Sequence, residues 1–307
     1  MLFQEALRTP ALGLFALNGG ENVRTPAQML HLAALAEDLG YESIWMGEHS
    51  VLPAHPNTDS PFAPRYELSD PLLALAQVAA VTSRVKVATG VLLLPLRHPV
   101  LLAKELASLD HLSGGRVVLG YGMGYIPSQN AAFDVPFDDR SARGLEYLEA
   151  MHAIWASPES ASSHGRYVDF TRIESFPAPV QRRLNTVAGG HSNRALRSAV
   201  THADGWFGFG LTPEALARAL EGIEAAAVRV ARPDHLGPLE ITVTPPRGGV
   251  TVEQIERFRA AGAHRLVLWP PAHLEPKELE DFVRRQADVF DRARGSDEAS
   301  AGRRPEE

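Results

Sequence analysis

Apolar residues recur along this chain in two alternating rhythms. Short continuous apolar runs, typical of strands buried on both faces, precede stretches whose apolar positions fall three and four apart, as on one helix face. The first run is 12–17. Behind it Thr25 is placed to cap a helix, Pro26 suits its first position and Gln28 completes a capping box. Met29, Leu32, Leu35 and Leu39 follow at helical spacing, and Gly40 stands where a left-handed residue closes a helix. Further strands are predicted over 42–47, 85–94, 117–121, 186–189, 205–208, 239–243 and 265–269. The helices between them open at Asp70-Pro71, Pro99, Ser141, Ser192, Thr212 and the Thr251–Gln254 capping box, and the last runs from Pro276 to about Arg294.

Eight strands alternate with eight helices, which implies a parallel sheet with right-handed crossovers. Eight such units with no residues left for another domain predict an α/β fold of the (β/α)8 TIM barrel type. A doubly wound sheet carries the same alternation and stays open at this point. Residues 1–294 are read as a single barrel domain and 295–307 as a polar, disordered tail. Two segments interrupt the rhythm: 52–69 after the second strand, and 157–184 before the fifth, which reads as a hairpin excursion. Insertions of this length are lids, binding loops or disorder.

Composition narrows the function. The 307 residues carry 30 Lys and Arg against 37 Asp and Glu, a formal charge of −7, with 45% hydrophobic and 22% charged residues. This is globular composition without the basic footprint of a nucleic-acid binder. With no cysteine, a disulfide scaffold, thiol catalysis and cysteine-ligated metals are excluded. No secretory signal is visible at the N-terminus, and the longest apolar runs fall far short of the roughly 20 residues of a membrane span. The expectation is a cytoplasmic protein acting on a small molecule, with no nucleic-acid or membrane partner.

In a barrel the chemistry sits at the C-terminal ends of the strands. Those ends read Asn18-Gly19-Gly20, Gly47-Glu48-His49, Thr89-Gly90-Val91, Gly120 to Tyr125, Gly189-Gly190-His191-Ser192, Gly208-Phe209-Gly210 and Trp269-Pro270. Glycine serves a βα turn or lets backbone approach a ligand, and its concentration at several ends favours a flat ligand lying across the mouth. Gly189 to Ser192 directly precede a helix, so they suit a phosphate, while Ser192 also serves as an ordinary cap. Gly120, Gly122 and Gly124 do not complete a dinucleotide fingerprint, because Tyr125-Ile126-Pro127 follows instead of an immediate helix. His49 is the candidate acid–base group, and Glu48 a candidate helix-dipole or ion-pair partner; adjacent strand residues face opposite ways, so at most one of the two faces the barrel interior unless the loop has begun. Twelve histidines raise the question of a metal, but no His-x-His stands on the first strand and no His-Glu-x-x-His exists, so no metal site is expected. A serine nucleophile has no Gly-x-Ser-x-Gly elbow.

Several blocks together resemble the bacterial luciferase-like oxidoreductases. They are LGYESIWMGEH at 39–49, TGVLLLPLRHP at 89–99, LDHLSGGR at 109–116, HGRYVDF at 164–170, Pro179-Val180-Gln181, Gly189 to Ser192, and Asp204-Gly205-Trp206. Their order is the family's, and the likeness covers about 11–230. The resemblance implies the same barrel and a flavin-type cofactor across its mouth, and the blocks look most like the branch that uses the deazaflavin coenzyme F420. By resemblance, Thr89, Gly90 and Val91 form a bulge behind the cofactor ring, with a cis peptide at Gly90–Val91. His49 lies near the reactive carbon. Gly122, Met123 and Gly124 approach the ring or tail, and Gly189, Gly190, His191 and Ser192 hold the phosphate. Homodimerisation is common in the family.

There are departures from the pattern. Glu48 stands where Asp is frequent, and Tyr125 to Gln129 stand where the family often has Trp and acidic residues. Met123-Gly124 occupy the place of the catalytic Glu of the sugar-phosphate dehydrogenases, which speaks against that activity. The expected function is hydride transfer between F420 and a small organic substrate, with His49 and Glu48 as catalytic residues. Two alternatives remain: an FMN-dependent monooxygenase of the same fold, and a barrel that binds cofactor or ligand without turnover.

Overall fold

The computed structural model describes residues 2–4, 9–54, 62–63 and 65–301, with side chains to 295. In chain order the first elements are β1 (Ala11–Phe15), α1 (Pro26–Asp38), β2 (Ser43–Met46), α2 (Pro71–Val81), β3 (Lys86–Thr89) and β4 (Leu92–Leu93). Then come α3 (Pro99–Ser113), β5 (Val117–Gly122), α4 (Pro127–Ala131), α5 (Arg140–Ala156), β6 (Ala161–His164), β7 (Asp169–Ile173) and β8 (Asn185–Gly189). The remainder is α6 (Asn193–His202), β9 (Gly205–Phe209), α7 (Pro213–Arg229), β10 (Glu240–Thr244), α8 (Val252–Ala260), β11 (Arg265–Leu268) and α9 (Pro276–Ala301).

The chain divides into two compact units. One comprises Met1–Leu17, Asn22–Trp45 and Thr186–Glu307, and the other Asn18–Glu21 and Met46–Asn185. In the first, β2 pairs with β1, β1 with β11, β11 with β10, β10 with β9 and β9 with β8, all parallel. In the second, β3 and β4 both pair parallel with β5, and β6 with β7 forms the separate antiparallel hairpin expected within 157–184. With β3 and β4 counted as two segments of one broken strand, these nine parallel segments are the eight strands of a (β/α)8 barrel, the fold class that the alternation predicts.

Local chemistry explains most of the boundaries. Thr25, Asp70, Ser192, Thr212 and Thr251 each accept a backbone N–H in the first turn of the helix that follows. The Thr251–Gln254 box closes reciprocally. Gln28 instead accepts from the backbone N–H of Arg24, one residue before the cap. All four residues of β2 and all four of β11 are buried, so these apolar runs are strands covered on both faces.

The structure corrects four readings. The strand expected over 85–94 is broken: β3 ends at Thr89, the Gly90–Val91 peptide is cis as the resemblance implies, and β4 runs into a 3-10 turn at Leu94–Leu96. Ser141 does not cap a helix. The cap position of α5 is Asp139, without a side-chain hydrogen bond, and Ser141 is buried in the first turn. A helical turn, α4, does follow Tyr125-Ile126. Finally, α9 passes Gly295 and continues to Ala301, while residues 302–307 of the expected tail lie outside the described residues. The 52–69 insertion is described only in part. Its far end is anchored where Gly20 N–H donates to Glu67 O (2.9 Å) and Ser69 N–H to Asn18 O (3.0 Å).

Candidate functional site

Two groups of site residues form, one within each unit. In the second unit the end of β2 carries Glu48 and His49, both beyond the last strand residue, Met46. Strand alternation therefore does not decide which way they face. Glu48 is buried. Its Oε2 accepts from the Leu93 backbone N–H (2.7 Å), and its Oε1 accepts from Arg97 Nε (2.8 Å) and Ser50 Oγ (3.0 Å). Arg97 also pairs with Asp70, whose other oxygen caps α2 at Leu72 N–H (2.9 Å). A buried carboxylate holding this many donors is fixed, and removing any one partner strands a charge. Glu48 thus pins the start of the His49 loop to the segment after the cis peptide. The sequence reading assigned no role to Arg97, the cation that completes this network.

His49 is half-buried and differently placed. Its Nδ1 lies 3.3 Å from Gln129 Oε1, and its ring packs against Phe62 (centroids 4.9 Å) and edge-on against Tyr125 (5.9 Å). Burial pushes its pKa below the usual histidine value, partly offset by the Gln129 hydrogen bond and the nearby Glu48 charge. The imidazole is accordingly neutral near pH 7. Among the described residues its Nε2 has no hydrogen-bond partner. Gln129 comes from α4 and was missed as a site residue. The available signal was that it closes the Tyr125–Gln129 stretch, where the chain leaves the family pattern.

The backbone around this group is tightly fitted. Thr89 Oγ1 donates to Gly120 O (2.7 Å), and Gly90 N–H donates to Met46 O (2.7 Å). A Cβ on Gly122 would stand 2.8 Å from Val91 Cγ2, so only glycine lets β5 pass the cis segment. Gly124 has φ +77°. Met123 packs under α5, where a Cβ on Gly144 would collide with its sulfur. The structure thus sets Gly122 against Val91, next to Thr89 and Gly90 in the chain, whereas Met123 faces Gly144 and Gly124 faces Asn130. Three buried carboxamide oxygens in this unit have no donor among the described residues: Asn18 Oδ1 and Asn130 Oδ1, and Asn185 Oδ1 at the start of β8. Asn18 Nδ2 meanwhile donates to Gly47 O (2.9 Å) and Ser69 O (2.8 Å).

In the first unit, Gly189 ends β8 and Gly190 turns with φ +111°, its carbonyl accepting from Trp206 Nε1 (2.9 Å). His191 Nε2 accepts the Phe209 backbone N–H (3.2 Å), and burial pushes the ring's pKa down. Ser192 Oγ accepts Ala195 N–H (3.2 Å). The two side chains thus serve the fold, and the first turn of α6 is exposed. The same unit holds an aromatic cluster at the C-terminal strand ends that the sequence reading did not single out. Phe15 meets Phe209 (5.4 Å), Phe209 meets Trp269 (5.2 Å), and Trp45 stacks on Phe207 (5.2 Å). Its signal was the aromatic residue closing three of the strands. Among the described residues there is no cluster of three or more His, Asp or Glu able to hold a metal. No helix among them is long and apolar enough to cross a membrane.

Glycine-fitted strand ends, and a histidine whose Nε2 has no partner among the described residues, stand on a (β/α)8 barrel. Comparison with known proteins gives the family: residues 11–305 match the luciferase-like monooxygenase model, and the chain belongs to that oxidoreductase family. A Mycobacterium tuberculosis protein without an assigned activity is 38% identical over 184 residues, which is 57% of this chain and 64%, under two thirds, of that relative. Among solved structures, an F420-dependent secondary alcohol dehydrogenase bound to an F420–acetone adduct superposes with TM-score 0.75 at 15% identity, covering 92% of this chain and 99% of that one. The FMN-bound oxygenating component of 3,6-diketocamphane monooxygenase from Pseudomonas putida gives 0.70, also at 15% identity, covering 92% and 98%. At such identities these two likenesses show the fold.

Proposed function

We propose that this protein is a cytoplasmic F420-dependent oxidoreductase that moves a hydride between the deazaflavin and a small organic substrate. The observation that carries the reading is His49: a neutral imidazole at a strand end, held at Nδ1, walled by aromatic rings and uncommitted at Nε2. Hydride transfer to or from an oxygenated carbon needs one proton exchanged at the oxygen, and a neutral imidazole does that at neutral pH. Bound F420 would supply or accept the hydride. His49 would take the hydroxyl proton as an alcohol is oxidised and return it as a carbonyl is reduced.

The residues fit such a cofactor. A flavin or deazaflavin ring carries N–H donors, and buried acceptors without donors, such as Asn18 Oδ1 and Asn130 Oδ1, are costly until a donor arrives. Thr89, Gly90, Val91, Gly122, Met123 and Gly124 would back the ring. The first turn of α6, with Gly189, Gly190, His191 and Ser192, would take the phosphate. Glu48 would act by holding the His49 loop. The solved F420 enzyme of the same fold supports this choice of cofactor. The second reading, an FMN-dependent monooxygenase, is favoured by the FMN-bound neighbour and by the family's own description. A homodimer is proposed for the assembly, to be checked by sedimentation.

The test is a parallel fluorescence titration of the purified protein with oxidised F420 and with FMN. Micromolar binding of F420 with no comparable binding of FMN is the expected outcome. Preferential FMN binding moves the assignment to the monooxygenase. Binding of neither returns the protein to a barrel without this cofactor.

A further inference from the structure

The side chain of Gln129 is buried, and both ends of its amide are assigned by contact. Nε2 donates to the Val51 carbonyl at 3.0 Å, and Oε1 faces His49 Nδ1 at 3.3 Å. The opposite amide orientation would set an acceptor against the Val51 carbonyl oxygen, so the backbone of the 48–51 loop decides which end meets the histidine. An amide oxygen accepts only, and the ring nitrogen opposite it must therefore carry the hydrogen. We propose that Gln129 is a positioning residue that fixes the neutral His49 ring as the Nδ1–H tautomer, making Nε2 the nitrogen that exchanges a proton with the substrate oxygen.

The device is compact. Glu48 and Gln129 grip the same short loop from two sides: Glu48 ties its start to Leu93 and Arg97, and Gln129 ties its end through Val51 O and its ring through Nδ1. Phe62 and Tyr125 confine the ring plane. The tautomer of a neutral histidine follows the hydrogen bond its other nitrogen makes. Here that bond comes from an uncharged amide, which sets the proton's position. The contrast within the molecule is His191, whose Nε2 is consumed by a backbone N–H and which has no nitrogen lone pair to offer.

The tautomer assignment stands on the protein alone, whereas its use in proton exchange rests on the function proposed above. Both are read by nitrogen NMR of the full-length protein labelled at histidine, recorded with and without F420, with the His49 signals identified by their loss in His49→Gln. The expected spectrum at pH 7 has His49 Nδ1 protonated and Nε2 unprotonated. Gln129→Leu, which removes the acceptor, should shift His49 to the Nε2–H form and lower kcat at least tenfold with little change in KM. Gln129→Glu should restore the Nδ1–H form and raise the pKa of the ring. A wild-type spectrum showing Nε2–H overturns the proposal, even where Gln129→Leu does not fold. So does a folded Gln129→Leu that keeps Nδ1–H. If the tautomer is as expected but F420 does not bind, the functional reading fails and the Gln129 assignment stands.

Discussion

Two regions of the second unit carry family-like blocks, and they treat their polar atoms in opposite ways. In the α3–β5 corner Asp110 and Arg116 have their polar atoms matched among the described residues. Asp110 is fully buried. One oxygen accepts from Gln181 Nε2 (2.7 Å) and Val117 N–H (3.3 Å), and the other accepts from Gln181 N–H (3.0 Å). Arg116 spends its guanidinium on carbonyls of Ala79, Thr82, Val85 and Ser113 and on the Thr82 hydroxyl. At the end of β2, by contrast, His49 keeps Nε2 unspent among the described residues. A recognisable block therefore signals one of two things. Where every donor and acceptor is matched within the chain, the block maintains the fold. Where an atom remains, the block is a candidate for chemistry.

That contrast can be broken by mutation. The largest effect is expected at His49: His49→Ala should lower kcat by roughly 10²–10⁴, the usual contribution of an acid–base group, with the unfolding midpoint almost unchanged. Near-normal turnover of a folded His49→Ala would remove the residue from the chemistry. Asp110→Ala should do the reverse, costing about 3 kcal/mol of stability in urea unfolding by stranding buried donors, while the folded protein keeps its cofactor affinity. Arg116→Lys should cost about 2 kcal/mol, because an ammonium reaches fewer of the five acceptors that the planar guanidinium serves. The smallest effect concerns pH. Burial lowers the folded pKa of His49, so as pH falls the unfolded chain takes up its proton first. This contribution to stability is intact above about pH 6.5, the ordinary histidine value, and is lost as pH falls through the folded value. Urea unfolding between pH 7.5 and 5 should show a shallower dependence in His49→Gln, with the remaining slope shared by His191, which is shifted in the same direction.

The fold was legible because it is written locally. Each βα unit announces itself through a short apolar run and a capping residue, and Asp70, Ser192, Thr212 and Thr251 cap as their spacing implies. Ser141 misled because a serine near a helix start can cap or can be buried one residue inside, and residue type alone does not separate the two. Half of the candidate site was legible for the same local reason: His49 and the glycines lie at strand ends that the alternation locates. Gln129 and Arg97 were not, since what matters about them is a contact made 80 and 49 residues away, with His49 and Glu48. The aromatic cluster of Phe15, Phe209 and Trp269 escaped because aromatic residues in strands are ordinary core residues until their neighbours are known.

The pairing of β1 has a consequence for how the chain is made. One edge of β1 is covered by β2, which leaves the ribosome soon after it, but the other is covered by β11, whose first pair joins Ala11 to Arg265. At ordinary synthesis rates that partner emerges on the order of ten to fifty seconds later. For that interval an apolar strand has an unsatisfied backbone edge, the kind of surface that recruits another nascent chain. Chains released before Arg265 should therefore aggregate, and release after β11 should rescue them. Solubility of such a truncation series would show it directly.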